Sequence, residues 1–144
     1  MARDPEVRRV VAELKRTAEK ARKAEVRAAV KNNAAGNAWT VADNASKAAF
    51  VAWDAAKNSP SAWDATSAAL DAANDAERVA NDLAQRTHYE WGEVDGRAYA
   101  AEDDLAVARG CQTLKDLVSC DHRRVREAAL FALNPAPPAP KRKR

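Results

Sequence analysis

The chain has 144 residues, of which 47% are hydrophobic, four are glycine and two are cysteine. This length corresponds to about one ordinary domain, and alanine, a strong helix former, supplies about a quarter of the residues. The scarcity of glycine and the absence of β-branched runs argue against a sheet protein, and no apolar run approaches the ~18 residues of a membrane span.

Charge is distributed unevenly around the formal net value of +3. Residues 1–31 carry ten Lys/Arg against five Asp/Glu, a net charge of +5, whereas residues 32–140 carry ten against sixteen, a net charge of −6. The final KRKR adds four positive charges.

The N-terminus lacks the apolar segment of a signal peptide. The two cysteines are therefore predicted to be reduced thiols in a cytoplasmic protein.

The first predicted helix is basic and begins at a clear capping signal. Asp4 suits the N-cap, Pro5 suits the first helical position, and Glu6 favours the positive end of the helix dipole. Its apolar row has a period near 3.5 residues, with Glu25 as the one polar interruption. Asparagine and glycine at residues 32–37 predict that it ends or kinks there.

The next two helices are predicted over residues 38–57 and 60–86. Asn58-Ser59-Pro60 stops one helix and starts the other, which predicts an antiparallel hairpin. The four residues AWDA occur on both sides of this turn, at 52–55 and 62–65. The sequence therefore predicts that Trp53 and Trp63 form one aromatic cluster near the turn.

The tryptophans Trp39, Trp53 and Trp63 have two interpretations. As core residues, they fill the edges of an alanine-rich helix interface, and each indole N–H then needs an acceptor. As an exposed patch, they bind a partner, since tryptophan is favoured at interface hot spots. The core interpretation is favoured, because few other large apolar residues are present.

Three further helices complete an all-α antiparallel bundle of five to six helices. They are predicted at Arg97–Arg109, at 111–119 and at Arg123–Leu133, with Asp121 as a cap for the last; residues 88–96 are predicted as helix or loop. The domain spans residues 1–134, as a first helix (1–34), a hairpin (38–86) and C-terminal helices (97–134). Residues 135–144 are predicted as a disordered, proline-rich, basic tail.

Catalytic patterns are missing from the sequence. Neither the Gly-x-Ser-x-Gly elbow nor the phosphate-binding loop occurs. The nearest soft-metal ligands are Cys111, Cys120 and His122, but the cysteines lie nine residues apart and a zinc site needs a fourth ligand. We therefore expect no enzyme activity, no metal and no cofactor, with both thiols free in the C-terminal helices.

Two parts of the chain resemble known groups of proteins. Residues 114–135 resemble one unit of the HEAT-like or leucine-rich-variant helical repeats, through Leu114, Leu117, Asp121, Val125, Arg126, Ala128, Ala129, Leu133, Asn134 and Pro135. This resemblance implies a helix pair used for protein contacts. The Ala-Trp-rich middle resembles uncharacterised alanine-rich helical proteins of high-GC bacteria and their phages, in composition alone.

The function predicted from sequence is a non-enzymatic protein-binding module: a small adaptor, structural component or inhibitor, of a phage or bacterial accessory kind. Its partner is another protein, with homo-oligomerisation open and no membrane role. The alternative is nucleic-acid binding, in which basic residues neutralise phosphates without reading bases. Its candidate phosphate-binding residues are Arg8, Arg9, Lys15, Arg16, Lys20, Arg22, Lys23, Lys141, Arg142, Lys143 and Arg144.

Overall fold

The computed structural model describes residues 2–134, and the regular elements in that range are all helices. They are α1 (Pro5–Ala56), α2 (Pro60–Arg109), α3 (Leu114–Val118) and α4 (Arg123–Leu133). The all-α prediction is confirmed, but the described range holds four helices where five to six were predicted. The predicted tail, residues 135–144, lies outside the described residues. Within residues 2–134, every helix is too short or too polar to cross a lipid bilayer.

The predicted start of α1 and the predicted turn are both confirmed. The Asp4 carboxylate accepts a hydrogen bond from the Glu6 amide at 3.1 Å, with Pro5 as the first helical residue. α1 ends at Ala56 and α2 begins at Pro60, so residues 57–59 make the connection. The Ser59 carbonyl accepts the first intrahelical bond of α2, from the Trp63 amide at 3.0 Å.

The predicted end or kink near Gly36 is wrong, because α1 continues through it. Residues 88–96, predicted as helix or loop, are helical within α2, Gly92 and Gly96 included. A helical glycine costs only about 1 kcal/mol relative to alanine. Next to these glycines, Ala35 and Ala98 are buried, and packing against the neighbouring helix outweighs that cost. Local propensity predicted an interruption near Gly36, where tertiary contacts continue the helix.

The chain divides into two compact units. Unit 1 combines residues up to Lys23 with those from Asp95 onward, and unit 2 is Ala24–Val94. Unit 1 therefore contains the start of α1, the end of α2, and both short helices. Unit 2 contains the rest of α1 and α2 with the turn between them.

Unit 1 has a continuous hydrophobic core to which all four helices contribute. Val7 from α1, Leu117 from α3 and Val125 from α4 are fully buried there. α2 supplies Leu105 and Ala108. Burial of this kind is the main stabilising contribution to a small helical fold.

Hydrogen bonds fix the ends of the unit 1 helices. The Arg3 guanidinium donates to the Arg109 carbonyl at 2.6 Å, at the C-terminus of α2, where unpaired carbonyls favour a cation. Thr113 and Asp116 form a capping box at the start of α3. The N-cap of α4 is His122, so the predicted cap at Asp121 is wrong by one residue.

Unit 2 is held together by a much thinner interface, in which the most buried residues are small or polar: Ala35, Ser46, Ala56 and Thr87. Four of the side-chain hydrogen bonds between α1 and α2 in this unit involve partly buried groups, and we call them the polar ladder: Trp91 Nε1 to Glu25 (2.9 Å), Thr87 Oγ1 to Asn32 (3.5 Å), Ser46 Oγ to Asn74 (2.6 Å) and Trp53 Nε1 to Ser67 (3.2 Å). The α1 members are residues 25, 32, 46 and 53, which share one heptad position. The ladder therefore marks the inner side of α1 in unit 2.

Replacing a helical glycine by alanine should stabilise the protein. A Cβ added at Gly36 or Gly92 meets nothing within 4 Å, and alanine lowers the backbone entropy lost on folding. We expect Gly36→Ala and Gly92→Ala each to raise the free energy of unfolding by ~0.5–1 kcal/mol in urea titrations. Gly110→Ala is the control, since its Cβ would lie 3.3 Å from the Val107 carbonyl outside a helix. An equal gain at Gly110 would contradict this explanation.

Truncating the largest fully buried side chain of unit 1 should be costly. Leu117→Ala leaves a cavity where the wild-type side chain is 0% exposed. We expect a loss of ~2–5 kcal/mol in the free energy of unfolding, measured by denaturant titration. Val118→Ala, on the exposed side of the same short helix, should cost much less. Similar losses for the two variants would show that the core is not centred on Leu117.

Candidate functional site

The outward side of α1 in unit 2 carries a second row of residues, which we call the outer row. It runs with spacings of three and four: Val26, Val30, Asn33, Asn37, Val41, Asn44, Ala48, Val51 and Ala55. At 100° per residue, these positions lie about 100–160° around the helix from the nearest polar-ladder position, on the outward half of α1. None of the nine carries a charge, and all are exposed.

The outer row is unusual for a solvent-facing helix surface. Its four valines are between 54% and 68% exposed. Scattered single apolar residues on a surface are ordinary, but a solvated helix face is normally polar or charged. An uncharged row of valine, alanine and asparagine at this spacing resembles the rows by which one helix packs along another.

The outward side of α2 in unit 2 differs in character. Its row has the same spacing but is mostly alanine: Ala65, Ala69, Ala72, Ala76, Val79 and Leu83. Asp71, Asp75 and Asp82 lie beside this row and are exposed. Because three carboxylates border a row of small side chains, α2 presents less apolar area and more negative charge than α1.

The structure brings Trp53 and Trp63 together near the turn. Their ring centroids lie 5.0 Å apart at 41°, and Phe50 adds a third ring 5.7 Å from Trp53. Both tryptophans are half-buried, and the Trp53 indole N–H donates to Ser67. The cluster thus closes the end of the hairpin, while Phe50 stays 53% exposed at its edge.

Trp39, the third candidate partner-binding residue, lies away from this cluster. It occupies the heptad position of the polar ladder, between Asn32 and Ser46, and remains 41% exposed. Its ring is thus neither enclosed like a core residue nor part of the outer row. The three candidate tryptophans do not form one surface.

The basic residues predicted to bind phosphate fall into three groups, which differ in their ion pairs, their exposure and whether the structure describes them; Lys23, in the second group, also has an interaction partner. Lys15, Arg16 and Arg22 are paired with carboxylates: Lys15 with Glu19 at 3.9 Å, Arg16 with Glu13 at 2.7 Å, and Arg22 with Glu102. Arg8, Arg9, Lys20 and Lys23 are exposed on α1. Lys141, Arg142, Lys143 and Arg144 lie outside the described residues.

Arg22 is the most engaged of these cations and joins α1 to α2 within unit 1. Its guanidinium donates to both carboxylate oxygens of Glu102, at 2.7 and 2.8 Å, and to Asp95 at 3.3 Å. It also lies 5.4 Å from the centre of the Tyr99 ring. Hydrogen bonding by Arg22 holds the pKa of Glu102 below its ordinary value. A guanidinium placed in this way supports the fold and is poorly available to phosphate.

A titratable cluster joins the end of α2 to the start of α4. His122 Nε2 lies 3.1 Å from Asp103 and 3.5 Å from Asp104, and Arg124 reaches Asp104 at 3.0 Å. These two aspartates and His122 offer ligand atoms within 4.8 Å of one another.

The cluster nevertheless fits a metal ion poorly. His122 Nδ1 is buried and has no hydrogen-bond partner, whereas a metal-bound histidine normally donates its other N–H to an acceptor. Arg124 already occupies the Asp104 oxygen nearest the histidine. In the tautomer that carries its hydrogen on Nε2, His122 donates a hydrogen bond to the carboxylates. Its Nδ1 then carries no hydrogen and needs no acceptor. The cluster acts as a structural link between α2 and α4.

The two cysteines are free: Cys111 is buried in the unit 1 core and Cys120 is half-buried. Burial raises the pKa of the Cys111 thiol, which keeps it protonated and unreactive. Its sulfur lies 3.7 Å from the Val107 carbonyl.

Sequence reasoning missed the outer row and the role of Glu25. The interruption at Glu25 is explained by Trp91, whose indole N–H finds its acceptor there. The outer row carried a detectable signal, since Val26, Val30, Val41 and Val51 repeat with helical spacing on the side opposite the inner row. The predicted break at Gly36 divided this pattern into two helices and hid it.

No protein-family model matches the chain, and comparison with curated proteins and solved structures finds no significant match.

The Arg22–Glu102 pair should stabilise unit 1 in a pH-dependent way. A carboxyl whose pKa is lowered by folding contributes stability above its unfolded pKa and loses it as the pH falls through the folded pKa. We therefore expect Glu102→Gln to be less stable than wild type at pH 7, with the difference vanishing well below the ordinary carboxyl pKa of about 4.3. Urea titrations at both pH values measure this.

Glu127→Gln provides the matched control. Glu127 pairs with Arg123 one turn away within α4, and both side chains are exposed. Such a pair contributes little to stability, so its loss should have a smaller effect at pH 7. A Glu102→Gln penalty that persists unchanged in acid would contradict an electrostatic origin.

Proposed function

We propose that this chain is a non-enzymatic protein-binding module whose docking surface is the outer row of α1. One observation carries the proposal: an uncharged row over residues 26–55 whose four valines are more than half exposed. Exposed apolar side chains grouped on one helix face are a common feature of interaction sites in soluble proteins. The cost of leaving it in water is offset when a partner covers it.

The shape of the surface favours a helical partner. A row at spacings of three and four receives the matching row of another amphipathic helix, as in helical recognition of peptides and coiled coils. Asn33, Asn37 and Asn44 interrupt the valines with side chains that both donate and accept hydrogen bonds. Polar residues within such a row select a partner and a register, because a mismatched partner leaves them unsatisfied.

The remainder of the chain supports a role in binding. Unit 1 has a closed core, and several of its titratable groups are engaged in structural pairs such as His122 with Asp103 and Arg22 with Glu102. α4 exposes Leu130 and Phe131, in the segment that resembles HEAT-like repeats, whose helix pairs make protein contacts. An adaptor, structural component or inhibitor in a bacterial or phage cytoplasm is consistent with these features.

Nucleic-acid binding has weaker support. Glu13, Glu19 and Glu102 accept ion pairs from three of the candidate phosphate ligands on α1. A phosphate would have to compete with these carboxylates, which lowers the electrostatic gain on binding.

The proposal is tested by capture with one substitution in the outer row. We expect the immobilised wild-type chain to retain a protein from an extract of its native host. That protein, identified by mass spectrometry and purified, should then bind in calorimetry. Val41→Lys should weaken binding at least about tenfold, because binding would bury an unpaired ammonium in an apolar interface. Circular dichroism should be unchanged, since Val41 is 68% exposed.

Val79→Lys is the matched control. Val79 is an exposed valine of the same unit, but it lies on the outward side of α2. It should leave the dissociation constant unchanged. Equal binding by wild type and Val41→Lys would overturn the assignment of the outer row. Retention of duplex DNA alone, lost at high salt, would instead favour the nucleic-acid alternative.

A further inference from the structure

Each of the two long helices carries a row of exposed charge, and the two rows are opposite in sign. The basic row lies on α1 within unit 1, and the acidic row lies on α2 within unit 2. The basic row is Arg9, Arg16 and Lys20, and the acidic row is Asp71, Asp75 and Asp82, all six of them exposed. At 100° per residue, each row falls within about 40° of the circumference of its helix. Each row therefore presents its three charges in one direction.

Most of these charges have no partner in their own chain. Within residues 2–134, Arg9 and Lys20 form no ion pair, and neither do the three aspartates of the acidic row. Arg16 is paired with Glu13 at 2.7 Å on the surface of α1, where both side chains are exposed. A guanidinium has five N–H donors, so Arg16 can keep this pair and donate to a second carboxylate.

The spacings of the two rows match when the helices run in opposite directions. The basic row advances along α1 by seven residues and then by four, and the acidic row, followed backwards along α2, does the same. Antiparallel packing therefore sets Arg9 level with Asp82, Arg16 level with Asp75, and Lys20 level with Asp71. All three pairs are of opposite charge.

We infer that the acidic row of α2 binds the basic row of α1 on a second copy of this chain, with the two helices antiparallel. Charge complementarity selects this occupant, because the second copy carries the opposite charges at the matching spacing. The contact joins two different surface patches and is therefore heterologous. It uses a surface other than the outer row and goes beyond the proposed function.

Neighbouring charges favour the antiparallel direction. In this register, Glu13 lies at the same height along the axis as Arg78 of the second copy, which again brings opposite charges level. A parallel register with Arg9 level with Asp64 would also match three charges, but it would set Lys23 level with Arg78. Parallel packing would also align the two helix dipoles, which is unfavourable.

Molar mass at two salt concentrations tests for self-association. We expect the full chain to exceed the monomer mass in multi-angle light scattering at high micromolar concentration in low salt. It should return to the monomer mass in high salt, because salt screens exposed charges. Val41→Lys, in the outer row, should associate like wild type. A monomeric wild type in low salt, or loss of association in Val41→Lys, would overturn the inference.

Exchange of charge between the rows tests the contact itself. Arg9→Glu/Lys20→Glu and Asp71→Lys/Asp82→Lys should each be monomeric alone in low salt, because rows of like charge then face each other. An equimolar mixture of the two should associate, since every row again meets a row of opposite charge. Circular dichroism should be unchanged in both, because the altered residues are exposed. A mixture that remains monomeric would overturn the inference.

Arg8→Glu is the matched control for the basic row. Arg8 is an exposed cation next to Arg9 in sequence, but it lies about 100° around the helix from Arg9. It should therefore leave the dissociation constant nearly unchanged, whereas Arg9→Glu should raise it at least about fivefold. An equal effect of the two substitutions would show that net charge, and not the row, controls association.

Paired substitutions in one chain test the direction. In the antiparallel register, Asp82→Lys should restore the association that Arg9→Glu weakens, because the two altered positions meet across the contact. Asp64→Lys should give no such restoration. Restoration by Asp64→Lys, and not by Asp82→Lys, would overturn the antiparallel arrangement.

Discussion

The structure of unit 2 depends on a weak interface that must still have a single register. Alanine allows the backbones of α1 and α2 to approach closely, but each alanine buries little apolar area and can pack equally well against several partners. The polar ladder removes that ambiguity. Hydrogen bonds such as Ser46 to Asn74 and Trp53 to Ser67 are directional, so sliding one helix along the other would leave half-buried polar groups unsatisfied. The same bonds fix which side of α1 faces outward.

The two units use apolar residues in opposite ways. Unit 1 encloses Val7, Leu117 and Val125 in a core to which four helices contribute. Unit 2 places alanine, serine and threonine inside and leaves Val30, Val41 and other large apolar residues outside. These large apolar residues of unit 1 are enclosed in its core, whereas the valines of the outer row in unit 2 stay exposed. The stabilising core thus belongs to unit 1, and the surface that we propose for partner binding belongs to unit 2.

Much of the fold could be predicted from local signals. The Asp4-Pro5 start and the turn at residues 57–59 depend on capping and proline geometry, which act within a few residues. The end or kink predicted near Gly36 was wrong, and residues 88–96 could not be assigned to helix or loop, since the small penalty of a helical glycine is overcome by packing that no local pattern describes. The candidate site was predicted only in part. The aromatic pair at the turn could be predicted from the repeated AWDA motif. The outer row was missed, because the interruption predicted near Gly36 divided its pattern between two helices.

The sequence by itself determined an all-helical chain, its principal turn, its basic first segment and the absence of familiar catalytic motifs. Composition and short-range geometry suffice for these features. The tertiary structure decided which side of α1 faces α2, that Glu25 accepts the Trp91 indole, and that Arg22 is held by Glu102 within unit 1. The first of these contacts joins Glu25 and Trp91, which are separated by 66 positions along the chain, and the second joins Arg22 and Glu102, which are separated by 80 positions. Such contacts form only when the two long helices pack in one register. The exposed face of α1 could therefore be identified only from the folded structure.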